Sequence, residues 1–238
     1  MSKELYNELL DAGVHFGHLR KKWNPKMRQY IFTEKKGVHI IDLNRTMENL
    51  DRAANAMRSI AKSGRKILFV ATKKQARDIV RDAATSVGMP YVTERWLGGM
   101  MTNFSTIRRS VKKMQNIENL LADGTLTSIT KKERLTLTRE KNKLEKVLSG
   151  VSDLNRIPAA MFVVDITHEH LAVTEANKLG IRTIAMVDTN SNPGLVDFAI
   201  PSNDDASKSI KVITDYLTSA VKEGLEERKK AKAELESA

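Results

Sequence analysis

The sequence predicts an α/β fold: a doubly wound parallel sheet into which an antiparallel helical hairpin is inserted. Short apolar runs at 66–71, 160–165 and 183–188 alternate with stretches whose apolar residues recur every three or four positions, which is the spacing of an amphipathic helix. Strands that are apolar on both faces are typical of a parallel sheet covered by helices on both sides. The stretch 105–151 differs, because its periodicity is helical throughout and no strand interrupts it.

The chain is predicted to begin with a short amphipathic helix. Leu5, Leu9 and Leu10 have helical spacing, Ser2 is a favourable N-cap, and Gly13 follows as a terminator. A basic arm comes next, and we assign the helix and the arm together to residues 1–36.

The core is predicted to comprise residues 37–104 and 152–224. Its predicted strands lie at 38–43, 66–71, 91–92, 160–165 and 183–188, and its helices include 47–60 and 172–179. Thr72 and Gln75 fit a capping box that would start a further helix. Right-handed crossovers between such strands give a sheet of the Rossmann or flavodoxin type.

The inserted segment, residues 105–151, is predicted to form an antiparallel coiled-coil hairpin. Asp123-Gly124 favours a turn between the two helices, and Thr130 with Glu133 fits a capping box for the second. The apolar stripe is narrow and consists of Ile107, Val111, Met114, Ile117 and Leu121 in the first helix and Leu137, Leu144, Leu148 and Val151 in the second. We therefore expect the hairpin to project into solvent or onto a partner. Residues 225–238 are predicted to be a charged flexible tail, either a frayed helix or disordered.

Composition favours a polyanionic partner and excludes several chemistries. The 40 basic and 29 acidic residues give a formal charge of +11, so nucleic acid is the first candidate. No apolar run approaches the length of a spanning helix, and we expect a cytoplasmic protein with no membrane partner and no functional homo-oligomer. The absence of cysteine excludes disulfides, thiolate zinc fingers and a cysteine nucleophile.

The charge is unevenly distributed along the chain. Residues 20–36 contain seven basic residues and one acid, and 105–150 contain eleven basic residues and five acids, so each segment carries +6. Residues 156–205 contain three basic residues and seven acids, which gives −4. Such runs can simply be solvated faces, but two of equal sign favour contact with phosphates, and the acidic half is our candidate for a protein-binding face.

Two motifs have the residue types that RNA recognition needs. The arm interleaves aromatic and cationic side chains, a combination suited to looped or single-stranded RNA, although Phe16 and Trp23 could equally anchor the arm on the core. The segment 95–103 contains Gly98-Gly99 just before a helix, which could form a tight turn, seat an RNA phosphate or bind a small-molecule phosphate. Neither 44–46 nor 72–75 contains the glycines of a nucleotide-binding loop.

Carboxylates are expected to converge at one edge of the sheet. Asp165 and Asp188 end two predicted strands, and Asp204 and Asp205 precede the last helix. Helix capping accounts for such residues; a divalent ion or a catalytic carboxylate pair are the alternatives.

The sequence resembles the bacterial form of the small-subunit ribosomal protein two family from about Leu5 to Gly224. The resemblance rests on segments 15–18, 23–27, 38–41, 69–73, 95–99, 102–103 and 187–191. It implies a non-catalytic protein that contacts ribosomal RNA and other small-subunit proteins, and that helps to attach the large messenger-RNA-binding ribosomal protein number one. It implies no required cofactor; some members hold a zinc ion, for which the matching groups are Asp188, Asp204, Asp205 and His18.

From the resemblance and the charge pattern together, we expect three groups of RNA-binding residues. They are His15, Phe16, His18, Arg20, Lys21, Lys22, Trp23, Asn24, Lys26 and Arg28 in the arm, Arg95, Trp96, Thr102 and Asn103 before the hairpin, and Arg108, Arg109, Lys112 and Lys113 in the hairpin. The alternatives are a nucleotide-binding α/β enzyme, which would need a ligand loop, and a laminin-receptor-like surface protein, which would need a longer C-terminal region.

Overall fold

A computed structural model describes residues 3–122 and 130–236. The helices are α1 (Lys3–Asp11), α2 (Leu43–Lys62), α3 (Arg77–Ser86), α4 (Phe104–Ala122), α5 (Lys131–Leu148), α6 (His170–Leu179) and α7 (Ser207–Glu236). The strands are β1 (Phe16–Leu19), β2 (Ile31–Lys35), β3 (Val38–Ile41), β4 (Ile67–Val70), β5 (Tyr91–Val92), β6 (Ala160–Val164), β7 (Arg182–Val187) and β8 (Phe198–Pro201). None of these described helices is long and apolar enough to cross a membrane.

The core is a five-stranded parallel sheet in the order β5-β4-β6-β7-β8. Along β6, Phe162 and Val164 belong to a cluster with α2, α3 and α7, while Met161 and Val163 belong to a second cluster with α4 and α6. Because side chains alternate along a strand, an all-apolar strand feeds both layers at once. The predicted doubly wound α/β fold is confirmed.

A second sheet lies outside this core. Strands β1, β3 and β2 pair antiparallel in that order. The run at 38–43, predicted as the first strand of the parallel core, is therefore wrong in its placement: β3 is the central strand of the small sheet, with Ile40 opposite Phe16 and Val38 opposite Leu19. Whether a segment forms a strand depends largely on its own residues, whereas the strand it pairs with depends on contacts between distant parts of the chain.

One further expectation is corrected. Thr72 does not cap α3, which begins at Arg77 with no side-chain cap; the amide and hydroxyl of Thr72 both donate to Glu169. Strand β8 follows a polar loop and was not predicted. Of the two alternatives for the tail from 225, the structure has the helical one, because α7 continues through Gly224 to Glu236; the flexibility of this tail stays a prediction.

Helices α4 and α5 lie side by side. The Arg108 guanidinium donates to the Ser152 carbonyl at 2.8 Å, and Lys141 pairs with Glu118 at 2.8 Å. Arg108, near the start of α4, thus contacts a residue just after the end of α5, whereas Glu118, near the end of α4, contacts a residue in the middle of α5. The two helices are therefore antiparallel. The capping box of Thr130 with Glu133 is present. The predicted Asp123-Gly124 turn lies outside the described residues, and the coiled-coil packing stays a prediction.

Helices α2 and α7 approach closely at Gly224. A Cβ added there would overlap the Arg58 carbonyl oxygen and lie 3.1 Å from the Cβ of Ala61. The Tyr216 hydroxyl donates to Asp51 at 2.6 Å across the same interface. This contact fixes α7 against the layer that covers the sheet.

We expect Gly224→Ala to destabilise the protein, although glycine normally costs a helix about 1 kcal/mol relative to alanine. The added methyl group must push the helices apart, and overpacking costs about 1–3 kcal/mol. Urea unfolding should give a net loss, whereas Ser219→Ala, at an exposed position of the same helix, should change the free energy of unfolding by no more than about 0.5 kcal/mol. A Gly224→Ala protein as stable as the parent would contradict the close contact.

Candidate nucleic-acid interface

The basic arm lies across the carboxyl end of β7. The amide of His18 donates to the Thr189 hydroxyl at 2.8 Å, and the amide of Asn24 donates to the Thr189 carbonyl at 2.7 Å. Met27 is fully buried and anchors the segment. Because the backbone is held at these points, the cationic side chains between them face outward.

Most of the arm's cations are free for a partner. Arg20 pairs with Glu34 at 3.3 Å. Within the described chain, no acidic side chain reaches ion-pair distance of the other four predicted cations, and all four are exposed: Lys21, Lys22, Lys26 and Arg28. The arm therefore carries uncompensated positive charge.

The predicted aromatic contacts are divided between packing and exposure. Trp23 is half-buried, with its ring 5.2 Å from that of His39, while Asn24 accepts the amide of Lys26 and orders the turn. Phe16 remains 49% exposed and stacks at a tilt on His15, with ring centroids 4.1 Å apart.

An exposed aromatic was also missed by the sequence analysis. Phe32 lies on β2 and is 75% exposed, and Leu19 on β1 is 53% exposed. We call Phe16, Leu19 and Phe32, three exposed apolar side chains of the small sheet, the small-sheet patch. The sequence analysis did not recognise β1 and β2 as strands, and the exposure of side chains does not alternate along either strand.

Two of the four predicted hairpin cations are available to a partner. Arg109 and Lys112 are exposed. Arg108 instead holds the Ser152 carbonyl and the Asn155 side chain, the latter at 2.9 Å, and Lys113 pairs with Glu140 of α5. Arg108 and Lys113 thus connect parts of the hairpin, and their contact with RNA stays a prediction.

In the segment before the hairpin Trp96 is turned inward, whereas Thr102 is exposed and its contact with RNA stays a prediction. Trp96 is only 7% exposed, and its indole nitrogen donates to Glu175 at 3.0 Å. Both the amide and the hydroxyl of Thr102 also donate to Glu175. Arg95 and Asn103 remain exposed. The loop that could have seated a phosphate therefore holds an internal carboxylate.

At the carboxyl edge of the sheet, Lys73 stands among three carboxylates. Its ammonium lies 3.1 Å from Asp165, 2.8 Å from Asp204 and 2.6 Å from Asp205. Burial lowers the pKa of Lys73, but the charge of Asp204 and bonds to Asp204 and Asp205 raise it above its ordinary value overall. The lysine is therefore a permanent cation, and neither Lys73 nor its role was predicted.

Asp204 is the most constrained member of the cluster. It is fully buried, and one carboxylate oxygen has no hydrogen-bond partner among the described residues. Burial, with the charges of Asp165 and Asp188, raises its pKa to about 7 despite the opposing effect of Lys73. The bond to Lys73 instead lowers the pKa of the more exposed Asp205.

His18 joins the arm to this cluster. Its Nδ1 lies 2.8 Å from Asp188 and its Nε2 lies 3.5 Å from Asp205. The hydrogen bond to Asp188 raises the pKa of His18, against the effect of burial. The expected convergence of carboxylates is thus observed, and a histidine of the arm is part of it.

The predicted zinc ligands do not fit a metal ion in this arrangement. Asp188 and His18 bond directly to each other, and the Lys73 ammonium already lies between Asp204 and Asp205. Across residues 3–122 and 130–236, no group of three or more histidine or acidic side chains is placed to hold a metal. The ammonium group of Lys73 offsets part of the negative charge of these carboxylates.

The acidic half is not an acidic surface, which corrects its proposed role as a protein-binding face. Five of its seven acids are buried, namely Asp165, Glu169, Glu175, Asp188 and Asp204. Of the others, Asp205 pairs with Lys73 and Asp197 accepts the amide of Thr183 at 2.7 Å. Most of the acidic side chains of residues 156–205 therefore lie inside the protein.

Comparison with known proteins gives a consistent result. The family model described as Ribosomal protein S2 matches residues 9–224. The small ribosomal subunit protein uS2 of Cytophaga hutchinsonii is 58% identical over 233 residues, covering 98% of this chain and 92% of the relative. The proteins of the same name from Parabacteroides distasonis and Porphyromonas gingivalis are each 56% identical, over 100% and 98% of this chain and 86% and 83% of the relatives.

Asp204→Asn should flatten the pH dependence of stability between about pH 4 and 7. With a folded-state pKa of about 7 against an unfolded value of about 3.9, the folded protein binds more protons in this interval, so its stability falls as pH rises. Asp205 has a lowered pKa, so Asp205→Asn should remove a stabilising contribution that is present at neutral pH and lost on acidification. Urea unfolding from about pH 3 to 7.5 tests both; changes in slope relative to the parent protein that have the same sign in the two variants would contradict the assignment.

Proposed function

The chain belongs to the ribosomal protein S2 family, and we propose that it binds ribosomal RNA through its basic arm and helical hairpin and helps to attach the large messenger-RNA-binding ribosomal protein number one. Members of this family are structural proteins of the small ribosomal subunit, so the chain has a structural role in translation and is not an enzyme. Its expected partners are the subunit's RNA and neighbouring proteins.

One observation carries the RNA proposal: the arm and the hairpin present exposed cations that lack acidic partners in the described chain. Some exposed cations elsewhere are paired, such as Arg52 with Glu48 at 2.6 Å and Lys62 with Glu227 at 2.9 Å. Unpaired cations on the arm and on the hairpin suit a polyanionic partner, because each contact with a phosphate releases condensed counterions. The half-buried Trp23 adds a flat surface beside the arm on which an unpaired base can stack.

The small-sheet patch supports the attachment of a protein partner. Phe16, Leu19 and Phe32 are large, apolar and exposed, and exposed apolar side chains gathered on one small element favour protein binding. The aliphatic Leu19 offers nothing to a nucleotide base but packs well against apolar side chains. Lys35 pairs with Val38 across the sheet from Leu19, which suits an apolar partner segment flanked by an acid.

The alternative of a nucleotide-binding enzyme finds no support in the region where such sheets bind ligands. That region lies beyond the carboxyl ends of the strands. Here it is filled by Lys73 with Asp165 and Asp204 and by the Thr72–Glu169 bond, whose amide distance is 2.6 Å.

Reversing the free hairpin charges should impair assembly without unfolding the protein. Arg109→Glu with Lys112→Glu should reduce recovery with small subunits in sucrose gradients and lower the salt dependence of RNA binding by about one to two units of log–log slope. The matched control, Lys208→Glu with Lys211→Glu on exposed positions of α7, makes the same charge change away from both projections. Equal incorporation of the two double variants would sink the hairpin as an RNA contact.

Placing a charge in the small-sheet patch should separate the two proposed contacts. Leu19→Asp should leave incorporation into small subunits close to normal but reduce the amount of ribosomal protein number one recovered with them, because a desolvated aspartate opposes apolar docking. Quantitative mass spectrometry of gradient fractions gives both values, with Leu171→Asp, at an exposed leucine of α6, as the control. An unchanged ratio of the two proteins would rule out the patch as the attachment surface.

A further inference from the structure

The carboxylate of Glu175 is held by the loop that connects the core to the helical hairpin. One oxygen accepts the Trp96 indole N–H at 3.0 Å and the Gly99 amide at 2.7 Å. The other accepts the amides of Met101 and Thr102 at 2.9 and 3.0 Å and the Thr102 hydroxyl at 3.1 Å. Five donors thus converge on one side chain of α6.

This carboxylate is charged although it is buried and has no cationic partner in the described chain. Burial alone would raise the pKa of Glu175, but the bonds from Thr102, Trp96, Met101 and Gly99 lower it below the ordinary value. A buried charge is stable only where such bonds replace its hydration. The loop therefore supplies a ready-made environment for an anion.

The loop's backbone is built for this task. Gly99 has a φ of +83°, a left-handed conformation that side chains disfavour, and it helps to turn successive amides toward one point. Concave backbone of this kind in front of a helix is the structure that binds phosphates in other proteins. The sequence analysis identified this capacity in Gly98-Gly99 but could not see that α6 provides the occupant.

The position of the loop gives the bond a mechanical consequence. It ends at Asn103, and α4 begins at Phe104, so the amides that hold Glu175 lie immediately before the hairpin. The apolar contacts of Met100, Met101 and Ile107 bury this junction, but apolar packing is not directional. The hydrogen bonds to Glu175 are directional, and they connect the base of the hairpin to a helix packed on the sheet.

We propose that Glu175 is a positioning residue that fixes the direction of the α4–α5 hairpin relative to the sheet by filling an anion site in the 96–102 loop. Its consequence for RNA, that Arg109 and Lys112 are held where the ribosomal RNA meets them, rests on the proposed function. The proposed effect of Glu175 on the direction of the hairpin does not rest on the proposed function. A small oxyanion such as sulfate or phosphate should take the place of the carboxylate when Glu175 is removed.

The absence of cysteine makes a distance measurement direct. Spin labels at Asn119→Cys on α4 and Lys208→Cys on α7, both exposed positions, report the direction of the hairpin. Asn119 lies about 22 Å along α4, so a tilt of about 10° moves it by about 4 Å. Double electron–electron resonance should give one narrow distribution of the distance between the two labels in the otherwise native chain.

Glu175→Ala and Glu175→Gln should broaden this distribution or shift it by several ångström while the thermal unfolding of the core stays cooperative. Glutamine keeps the size of the side chain but presents an N–H₂ group to donors. Adding sulfate to the Glu175→Ala protein should narrow the distribution again, which a merely structural role would not produce. Thr174→Ala, at the exposed neighbouring position on α6, should change nothing.

Three results would overturn the proposal: an unchanged distribution in both variants, a broadened distribution that sulfate and phosphate do not reverse, or loss of cooperative unfolding in both variants. The measurement contains no RNA, so it remains decisive even if the proposed function fails. If both proposals hold, Glu175→Ala should also reduce incorporation into small subunits several-fold.

Discussion

The ammonium group of Lys73 pairs with three carboxylates that two different parts of the chain bring to one edge of the sheet. Asp165 follows β6, while Asp204 and Asp205 precede α7. Removing one partner from a buried ionic cluster leaves an uncompensated charge, which is strongly destabilising. The arm depends on the same cluster, because His18 bonds to Asp188 and lies near Asp205. The basic arm is thereby attached to a buried ionic cluster at the edge of the sheet.

The same fold serves ligand chemistry in many enzymes, and here internal side chains occupy the places that ligands would take. Lys73 and its carboxylates fill the edge at which doubly wound sheets bind cofactors. Glu175 fills the amide loop before α4 as a phosphate would. A lysine occupies the first site, and backbone and side-chain donors bond the carboxylate in the second. This is how a fold associated with catalysis becomes a rigid structural component.

The charge counted along the sequence differs from the charge that the folded protein presents on its surface. The acidic half loses its negative surface because most of its carboxylates are buried and bonded. The basic arm retains its charge because its side chains follow turns that run over the surface. Lysine and arginine can extend into water while their stems pack, whereas a short carboxylate near a strand end is buried with its neighbours.

Local pattern by itself determined the order of helices and apolar strands, the Thr130–Glu133 capping box and the two basic projections, because periodicity, capping and charge are properties of neighbouring residues. Only the tertiary structure decided which sheet Val38–Ile41 joins, and that Thr72 bonds to Glu169 rather than capping α3. It also turned Trp96 inward toward Glu175, 79 positions away in the chain. Such partners cannot be identified from spacing, because a buried donor can be satisfied equally well by an acceptor from any distant element that packs beside it.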